Sequence, residues 1–446
     1  MSRAGLIRLS IFLATLIFIF GGTYLMIRYA QGYRPTKTGT IKGTGLLSAN
    51  SYPSAAEVYI NTKLTTATDN TLNLDPGEYD IEIKKDGYHT WSKKLQIVEE
   101  LVTETGAQLF PSSPSLEPLT YTGAVNPVPS PDGTKLTFTV ASSSAAAKNG
   151  LYVQDLTSSP ISLNKTARQI ARTNETYDYP TSSYTWSPNG TELLVAFKNG
   201  ANLLLDTTRF NDLATLKDVT VRLPQILSEW ELELARQERI QLLKLPDFMA
   251  NVATQSATNL YFSPDSLRLL YQSTAELTIP DGLVPALPSS STQSETRDLK
   301  SGSWYVYDLK EDKNFLIAED KLPKVEKLLL LPDFITPIPA ELISSPSAFR
   351  RLQTNVTPEE SIALFNAQYS PIFVDNIQWY PDSSHLIIVT DSGIDLVEYD
   401  STNRFTLYGG PMDKSIVYPW PDGSKIITRL TFSEGTIPNL YTIKLK

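Results

Sequence analysis

The chain has 446 residues, a net charge of −9 and no cysteine. That length predicts two or three domains. The acidic balance argues against a phosphate-backbone partner, so no nucleic acid is expected, and the missing thiols exclude disulfides, thiolate catalysis and cysteine-ligated zinc.

Leu9 to Ile27 is an uncharged run of 19 residues. As a helix it spans about 30 Å, the thickness of a hydrocarbon core. Arg3 and Arg8 precede it, and Arg28, Arg34 and Lys37 follow. A cleavable leader has a shorter apolar region and a small-x-small site; Arg28 spoils the nearest such site, at Ala30. Residues 9–27 therefore read as an uncleaved single-pass membrane anchor, and residues 1–8 as a short tail. Basic residues on both sides leave the positive-inside rule undecided. The short N-terminal tail is expected in the cytoplasm and the C-terminal domains outside it. Residues 28–40 read as a linker.

Residues 41–111 alternate with period two. Tyr79, Ile81 and Ile83 fall on one face, with Asp80, Glu82 and Lys84 on the other; Val58 and Ile60, Leu72 and Leu74, and Leu95 and Ile97 repeat the pattern. Asp75-Pro76-Gly77 and Lys85-Asp86-Gly87 are turn signals between the runs. Several short antiparallel strands with one buried face follow from this. Pro53 to Ile60, Pro76 to Tyr79 and the Gly87-Tyr88-His89-Thr90-Trp91 element resemble the PEGA domain family of small surface β-sandwiches. Ala55 stands where that family has glycine, and Asn61-Thr62-Lys63 lacks the usual glycine after the motif strand. The resemblance implies a spacer or adhesive module without catalysis, with structural roles for Pro53, Gly77, Gly87, Tyr88 and Trp91. His89 and Trp91 read as core or edge residues, because a buried ring removes much apolar area from water. Residues 112–118 read as a second linker.

From residue 119 onward the chain repeats itself. Ser130-Pro131-Asp132-Gly133, Ser187-Pro188-Asn189-Gly190, Ser263-Pro264-Asp265-Ser266, Tyr380-Pro381-Asp382-Ser383 and Trp420-Pro421-Asp422-Gly423 each precede an apolar strand. Trp186, Phe262 and Trp379 stand just before three of these turns. Proline fixes φ at the first corner, Asp or Asn bonds its own backbone, and a small residue accepts the left-handed position. A further strand follows each unit, beginning near Leu151, Asn202, Trp304, Ile394 and Asn439. Three to four strands per unit, repeated five times, predict an all-β fold: a β-propeller of five blades, or six if the interval between Pro264 and Pro381 hides one. The five turns resemble those of TolB-type propellers. The order of the two modules resembles a membrane-anchored bacterial family to which no activity is attached.

Two helical insertions are expected, near 224–250 and 321–370. Ser228-Glu229-Trp230-Glu231 and Thr357-Pro358-Glu359-Glu360 read as capping boxes, and Leu245-Pro246-Asp247-Phe248 is echoed by Leu331-Pro332-Asp333-Phe334. Residues 278–300, rich in proline and serine, read as a long exposed loop.

A catalytic set does not emerge. G-x-S-x-G, phosphate-loop and dinucleotide motifs are missing from the sequence. His89 and His385 fall in separate domains, and His385 reads as a solvated strand position. The turn residues Asp132, Asp265, Asp382 and Asp422 come one per repeat, whereas calcium needs 6–8 oxygens converging on one point. No catalytic, cofactor or metal residues are assigned. The expected function is a membrane-anchored binding or scaffold protein of the cell envelope, engaging another envelope protein or a surface glycan. The alternative is a hydrolase or lyase acting on surface polymers from the propeller channel, which rests on fold analogy.

Overall fold

The computed structural model describes residues 3–30, 33–35, 41–141, 143–157, 166–288, 291–319, 357–369, 376–431 and 437–446. The chain divides into two compact units, residues 1–112 with 286–294, and residues 113–285 with 295–446.

Helix α1, Arg3–Ala30, opens the first unit. Its stretch Ser10–Tyr29 is long and apolar enough to cross a membrane by length and composition, and none of it is buried. The helix overruns the expected 9–27 span at both ends, where no proline stops it.

Eleven strands follow. Arg34–Pro35 pairs with Ile41–Lys42, so the expected 28–40 linker contains the end of α1 and a short strand. The other nine are β1 Gly45–Ala49, β2 Ser51–Tyr52, β3 Glu57–Ile60, β4 Lys63–Ala67, β5 Asn70–Leu74, β6 Gly77–Lys84, β7 Trp91–Ile97, β8 Val102–Glu104 and β9 Ala107–Gln108. They pair as a four-stranded sheet β4-β3-β6-β7, a three-stranded sheet β8-β1-β5 and a short pair β9-β2. Val58, Ile60, Ile81, Ile83, Trp91 and Ile97 meet Leu47, Ala49, Ala107 and Leu109 in one core, with Tyr79 and Tyr88 packed at its margin. Period two makes this possible, because alternate side chains leave the same face of a strand.

The second unit holds five four-stranded antiparallel sheets among the described residues. Sheet 5 begins with β10, Leu116–Pro118. Sheet 1 comprises β11 Val125–Pro129, β12 Lys135–Val140, β13 Gly150–Asp155 and β14 Arg168–Arg172, and sheet 2 comprises β15 Ser183–Trp186, β16 Glu192–Ala196, β17 Asn202–Asp206 and β18 Lys217–Asp218. After helices α2 (Leu223–Leu242) and α3 (Asp247–Gln255), sheet 3 comprises β19 Ala257–Phe262, β20 Arg268–Ser273, β23 Trp304–Asp308 and β24 Lys313–Ala318. The small ladder β21 (Leu277–Thr278) with β22 (Asp298–Leu299) branches from it. Helix α4 (Pro358–Tyr369) precedes sheet 4, β25 Ile377–Trp379, β26 His385–Val389, β27 Ile394–Glu398 and β28 Phe405–Tyr408. Sheet 5 is completed by β29 Asp413–Pro419, β30 Lys425–Leu430 and β31 Asn439–Lys444.

Sheets pack face to face at three junctions. Leu151, Val153 and Ile170 of sheet 1 meet Trp186, Leu193 and Leu205 of sheet 2. Leu270 and Val306 of sheet 3 meet Trp379, Leu386 and Ile388 of sheet 4. Ile416, Tyr418 and Ile427 of sheet 5 meet Leu136 and Phe138 of sheet 1. Sheet 5 joins both ends of the unit, since Leu116 and Pro118 register with Ile443 and Tyr441. Four-stranded sheets taken in chain order, with the last sheet built from both ends of the unit, make a β-propeller. Residues 112–118, expected as a linker, thus contain a propeller strand, and the reason is closure: pairing the ends removes an open edge.

Two further expectations are corrected. α2 begins at Leu223 with Pro224 in its first turn, so Ser228 lies inside the helix and opens nothing. Proline supplies the start that a side-chain cap was expected to supply. The 278–300 loop is anchored at both ends by buried Ile279 and Leu299, and residues 286–294 group with the first unit. The capping box at Thr357 is present, with Thr357 N–H donating to Glu360 Oε2 at 2.7 Å and Glu360 N–H to Thr357 Oγ1 at 3.3 Å. Leu331 to Phe334 lie outside the described residues.

Candidate docking surface

The repeated turns form a linked belt. In sheet 1, Ser130 Oγ donates to Asp132 Oδ1 at 2.5 Å, and the Thr134 N–H and hydroxyl both donate to the Asp132 carboxylate, at 3.1 and 2.8 Å. Burial pushes this carboxyl up, but those donors and Lys135 outweigh it and hold it below its ordinary range. Asn189 accepts the same bonds from Ser187 and Thr191 in sheet 2. Asp265, Asp382 and Asp422 each accept from the backbone N–H two residues on, at 3.0, 2.8 and 2.8 Å. Gly133, Gly190, Ser266, Ser383 and Gly423 are left-handed, with φ between 60° and 70°. Pro131, Pro188, Pro264, Pro381 and Pro421 occupy the first corner of each turn. The turn aspartates therefore stand one per sheet, each engaged with its own backbone.

The turns also bond to their neighbours. Lys135 Nζ reaches the Gly190 carbonyl at 2.7 Å, Arg268 reaches the Ser383 carbonyl at 3.0 Å, and Tyr418 reaches the Gly133 carbonyl at 3.0 Å. The Tyr380 hydroxyl donates to the Gly423 carbonyl. Trp186 Nε1–H donates to the Val128 carbonyl at 3.1 Å and Trp379 Nε1–H to the Tyr261 carbonyl at 2.9 Å. These bonds connect sheets 5 to 1, 1 to 2, 3 to 4 and 4 to 5.

His385, expected in solvent, is 3% exposed. Its Nδ1 lies 2.6 Å from Asp382 Oδ2, and its Nε2 lies 3.9 Å from Glu398 Oε1. Lys135 and Arg268, at the same repeat position, are long enough to reach the next turn. The imidazole is short, so it folds back onto the carboxylate of its own turn. That carboxyl is raised by burial, yet His385 and the turn N–H groups outweigh this and leave it lowered.

Helices fill the interval between sheets 2 and 3. Leu194 and Ala196 of sheet 2 pack on Leu223, Ile226 and Leu227 of α2 and on Ile362 and Phe365 of α4. Trp230 meets Phe365 edge-on, with centroids 6.3 Å apart, and Asn366 Nδ2–H donates to the Tyr184 carbonyl at 3.0 Å. On the far side, Leu245, Met249 and Val252 cover Leu269, Tyr271, Tyr305 and Tyr307 of sheet 3, and Leu242 at the end of α2 joins them. One helix thus ties sheet 2 to sheet 3.

Tying the sheets uses only part of α2. Leu232 is 63% exposed, Ile240 48% and Leu243 76%. Leu232, Arg236 and Ile240 follow at i, i+4 and i+8, so they share one ridge. Arg236 is held down by Glu233, at 2.9 Å; the bonds from Arg236 and Gln237 lower the Glu233 carboxyl to about 2. The ridge is therefore apolar with its charges paired. The sequence placed a helix here but could not show which of its leucines stay outside.

In the sandwich, Trp91 is in the core, Tyr88 is at its edge, and Gly87 is left-handed at φ 80°. Pro53 follows Tyr52 through a cis bond, and Gly77 begins β6. The His89 backbone N–H donates to the Phe110 carbonyl at 2.9 Å, and burial lowers its imidazole pKa. These residues serve the sandwich itself.

Residues 44–112 match the PEGA domain family. No curated protein sequence matches the chain. Among solved structures, a TolB-type protein of Agrobacterium tumefaciens is similar at 12% identity and TM-score 0.20, over 71% of this chain and 78% of that one. TolB from Acinetobacter baumannii is similar at 11% identity and TM-score 0.21, over 82% of this chain and 60% of that one. The β-propeller domain of Cps50 from Myceliophteria thermophila is similar at 10% identity and TM-score 0.18, over 74% of each chain. The chain joins a PEGA domain to a β-propeller whose assignment rests on its own sheets.

Proposed function

We propose that the protein is a single-pass, membrane-tethered binding scaffold of the cell envelope, with α1 in the bilayer, its N-terminus in the cytoplasm and the two β units outside. In this reading the exposed ridge of α2 docks another envelope protein. The observation that carries the docking is the pair of duties on one helix: its inner face holds two sheets together, while Leu232, Ile240 and Leu243 stand in solvent. Three large apolar side chains on a ridge with paired charges fit a protein surface better than a glycan, which is met by aromatic platforms and free polar groups. The tether is supported by the length and exposure of Ser10–Tyr29.

Two measurements test this. The full chain should stay in the membrane pellet after alkaline extraction, and a chain beginning at residue 41 should be released; release of both removes the tether. A photo-crosslinker at Arg236 should give a discrete protein adduct in native membranes. Replacing Leu232, Ile240 and Leu243 by aspartate should abolish that adduct without moving the melting temperature. An adduct that survives the replacements overturns the ridge as the docking surface.

A further inference from the structure

The exit of α1 is bonded to one end of the sandwich. Arg28 Nη1–H donates to Glu100 Oε1 at 3.2 Å. The same guanidinium lies 4.4 Å from the Tyr33 ring centroid and 5.6 Å from that of Tyr24. The Tyr33 N–H donates to the Arg28 carbonyl at 2.9 Å, and the Glu100 and Glu99 carboxylates beside the Tyr33 hydroxyl push its pKa up to about 12. Glu99 lies across Gly43: a Cβ there would stand 1.7 Å from Glu99 Oε1, so a side chain at 43 would push the carboxylate aside.

The strand register shows which end of the sandwich is held. Gly77 pairs with Ile97, and Gly45 with Leu74. The β7–β8 turn carrying Glu99 and Glu100 therefore shares its end with the Asp75-Pro76-Gly77 turn and with the start of β1. Ile83 pairs with Trp91 at the opposite end, beyond which lies the Lys85-Asp86-Gly87 turn. At about 3.3 Å per residue, β6 separates the two ends by roughly 20 Å or more. The held end exposes Val102 by 55%. Tyr24 and Tyr29 are exposed on α1 just before it, the residue type that settles at headgroup level.

We propose that this end of the sandwich rests in the headgroup layer of the bilayer, fixed there by Arg28 and Tyr33 on Glu99 and Glu100. The inference rests on the reading of α1 as a membrane span. An exposed ion pair contributes little in water. Beside a low-dielectric layer the same pair is stronger, so the lipid surface itself stabilises the link. Asp75 and Glu78, exposed at the same end, keep it among headgroups and out of the acyl chains. The sandwich then acts as a seated base rather than a module swinging on a loose linker.

The chain contains no cysteine, so each introduced one is unique. The full chain carrying Phe18→Cys, Val102→Cys or Asp86→Cys is labelled with a fluorophore and reconstituted into phosphatidylcholine nanodiscs. Quenchers are placed either in the acyl chains or on the headgroups. The label at 18 should be quenched by the deep probe, the label at 102 by the headgroup probe, and the label at 86 by neither. Adding Tyr33→Phe, Glu99→Gln and Glu100→Gln should remove most of the quenching at 102. If the label at 18 responds and the label at 102 does not, the seating fails and the tether stands. If 18 does not respond, the tether itself fails. Quenching at 102 that is unchanged by the three substitutions overturns the link. Asp75→Cys, exposed in the turn at the same end, repeats the measurement should the Val102 variant fold poorly.

Discussion

Between sheets 1 and 2 the junction is made by side chains reaching for backbone: Trp186 and Tyr184 donate to carbonyls of β11, and Lys135 donates to the Gly190 carbonyl. Between sheets 2 and 3 the junction is made by α2, which packs on one sheet through Leu223 and Leu227 and reaches the cluster of the other through Leu242. The first kind of junction uses both faces of every element. The second leaves a helix with a face to spare. Sheet 3 is also the sheet whose turn is preceded by Phe262 where sheets 2 and 4 have Trp186 and Trp379. An indole N–H has a use only where a neighbouring sheet offers a carbonyl.

Truncating the two junctions should give unequal losses. Trp186 is 3% exposed, so Trp186→Ala should cost about 3–5 kcal/mol through the cavity and the orphaned Val128 carbonyl. Trp230, half-buried against Phe365, should cost about 1–2 kcal/mol as Trp230→Ala. Urea unfolding of both variants measures the difference. Equal losses would mean that the helical junction holds the ring as firmly as a sheet does.

Sheets 1 and 4 sharpen the contrast through a glycine that sheets 2 and 3 lack. Gly150 and Gly393 head the third strand at φ 150°, and a Cβ would stand 2.1 Å from the Ala171 carbonyl oxygen or 2.0 Å from that of Tyr408. The fourth strand occupies the space of the missing side chain. Gly150→Ala and Gly393→Ala should each cost about 1–3 kcal/mol by overpacking. A loss below the error of a denaturant titration would show that the fourth strand yields freely.

The left-handed positions compare the two units. The propeller places Gly133, Gly190 and Gly423 there, whereas the sandwich places Ala55 at φ 58° and Thr62 at φ 68°. A side chain in that region costs about 1–2 kcal/mol, so Ala55→Gly and Thr62→Gly should each raise stability by about 1 kcal/mol after the entropy of glycine is set against it. Ser266→Gly should behave alike. Ser383→Gly should not, because Ser383 Oγ accepts the Asp265 N–H at 3.0 Å. A gain at Ser383 equal to that at Ser266 would show that the hydroxyl contributes nothing to the belt.

What could be read in advance divides along the same line of local against distant causes. Each Pro-Asp turn is written within four residues, so all five second strands follow from sequence, as does the PEGA core from its period of two. The ring closure is not local: Leu116, Glu117 and Pro118 carry no signal, and only Ile443 and Tyr441, more than three hundred positions away, make them a strand. The start of α2 misleads for a related reason, since Ser228 has the spacing of a cap but Pro224 and the surface of sheet 2 begin the helix earlier. The docking ridge was legible as a helix, not as a surface; exposure of Leu232 and Ile240 depends on where β16 and α4 stand. His385 was misplaced because the repeat pointed to a long, solvated side chain, and nothing in the spacing announces that a short ring turns inward onto Asp382.

The smallest expected effect separates sheets 1 and 2 again, this time by pH. Their turns are built alike, but one carries a carboxylate and the other an amide. Asp132 titrates below its ordinary value of 3.8 in the folded chain, because the bonds from Ser130 and Thr134, with Lys135 nearby, outweigh its burial. A depressed folded-state value contributes stability that is complete above the unfolded value and is lost as pH falls through the folded one. The turn of sheet 1 should therefore loosen in acid below pH 3.8, while that of sheet 2, with Asn189 in the same bonds, should not respond. Asp132→Asn imports the neighbour's solution: it should leave the fold intact at neutral pH, slightly less stable, and flatten the acid limb of the stability curve. Asn189→Asp should steepen that limb. Thermal melts of the three chains between pH 2.5 and pH 7, about the span over which carboxylates titrate, measure the slopes. Parallel curves would show that the charge on Asp132 is incidental and that the turn is held by its geometry alone.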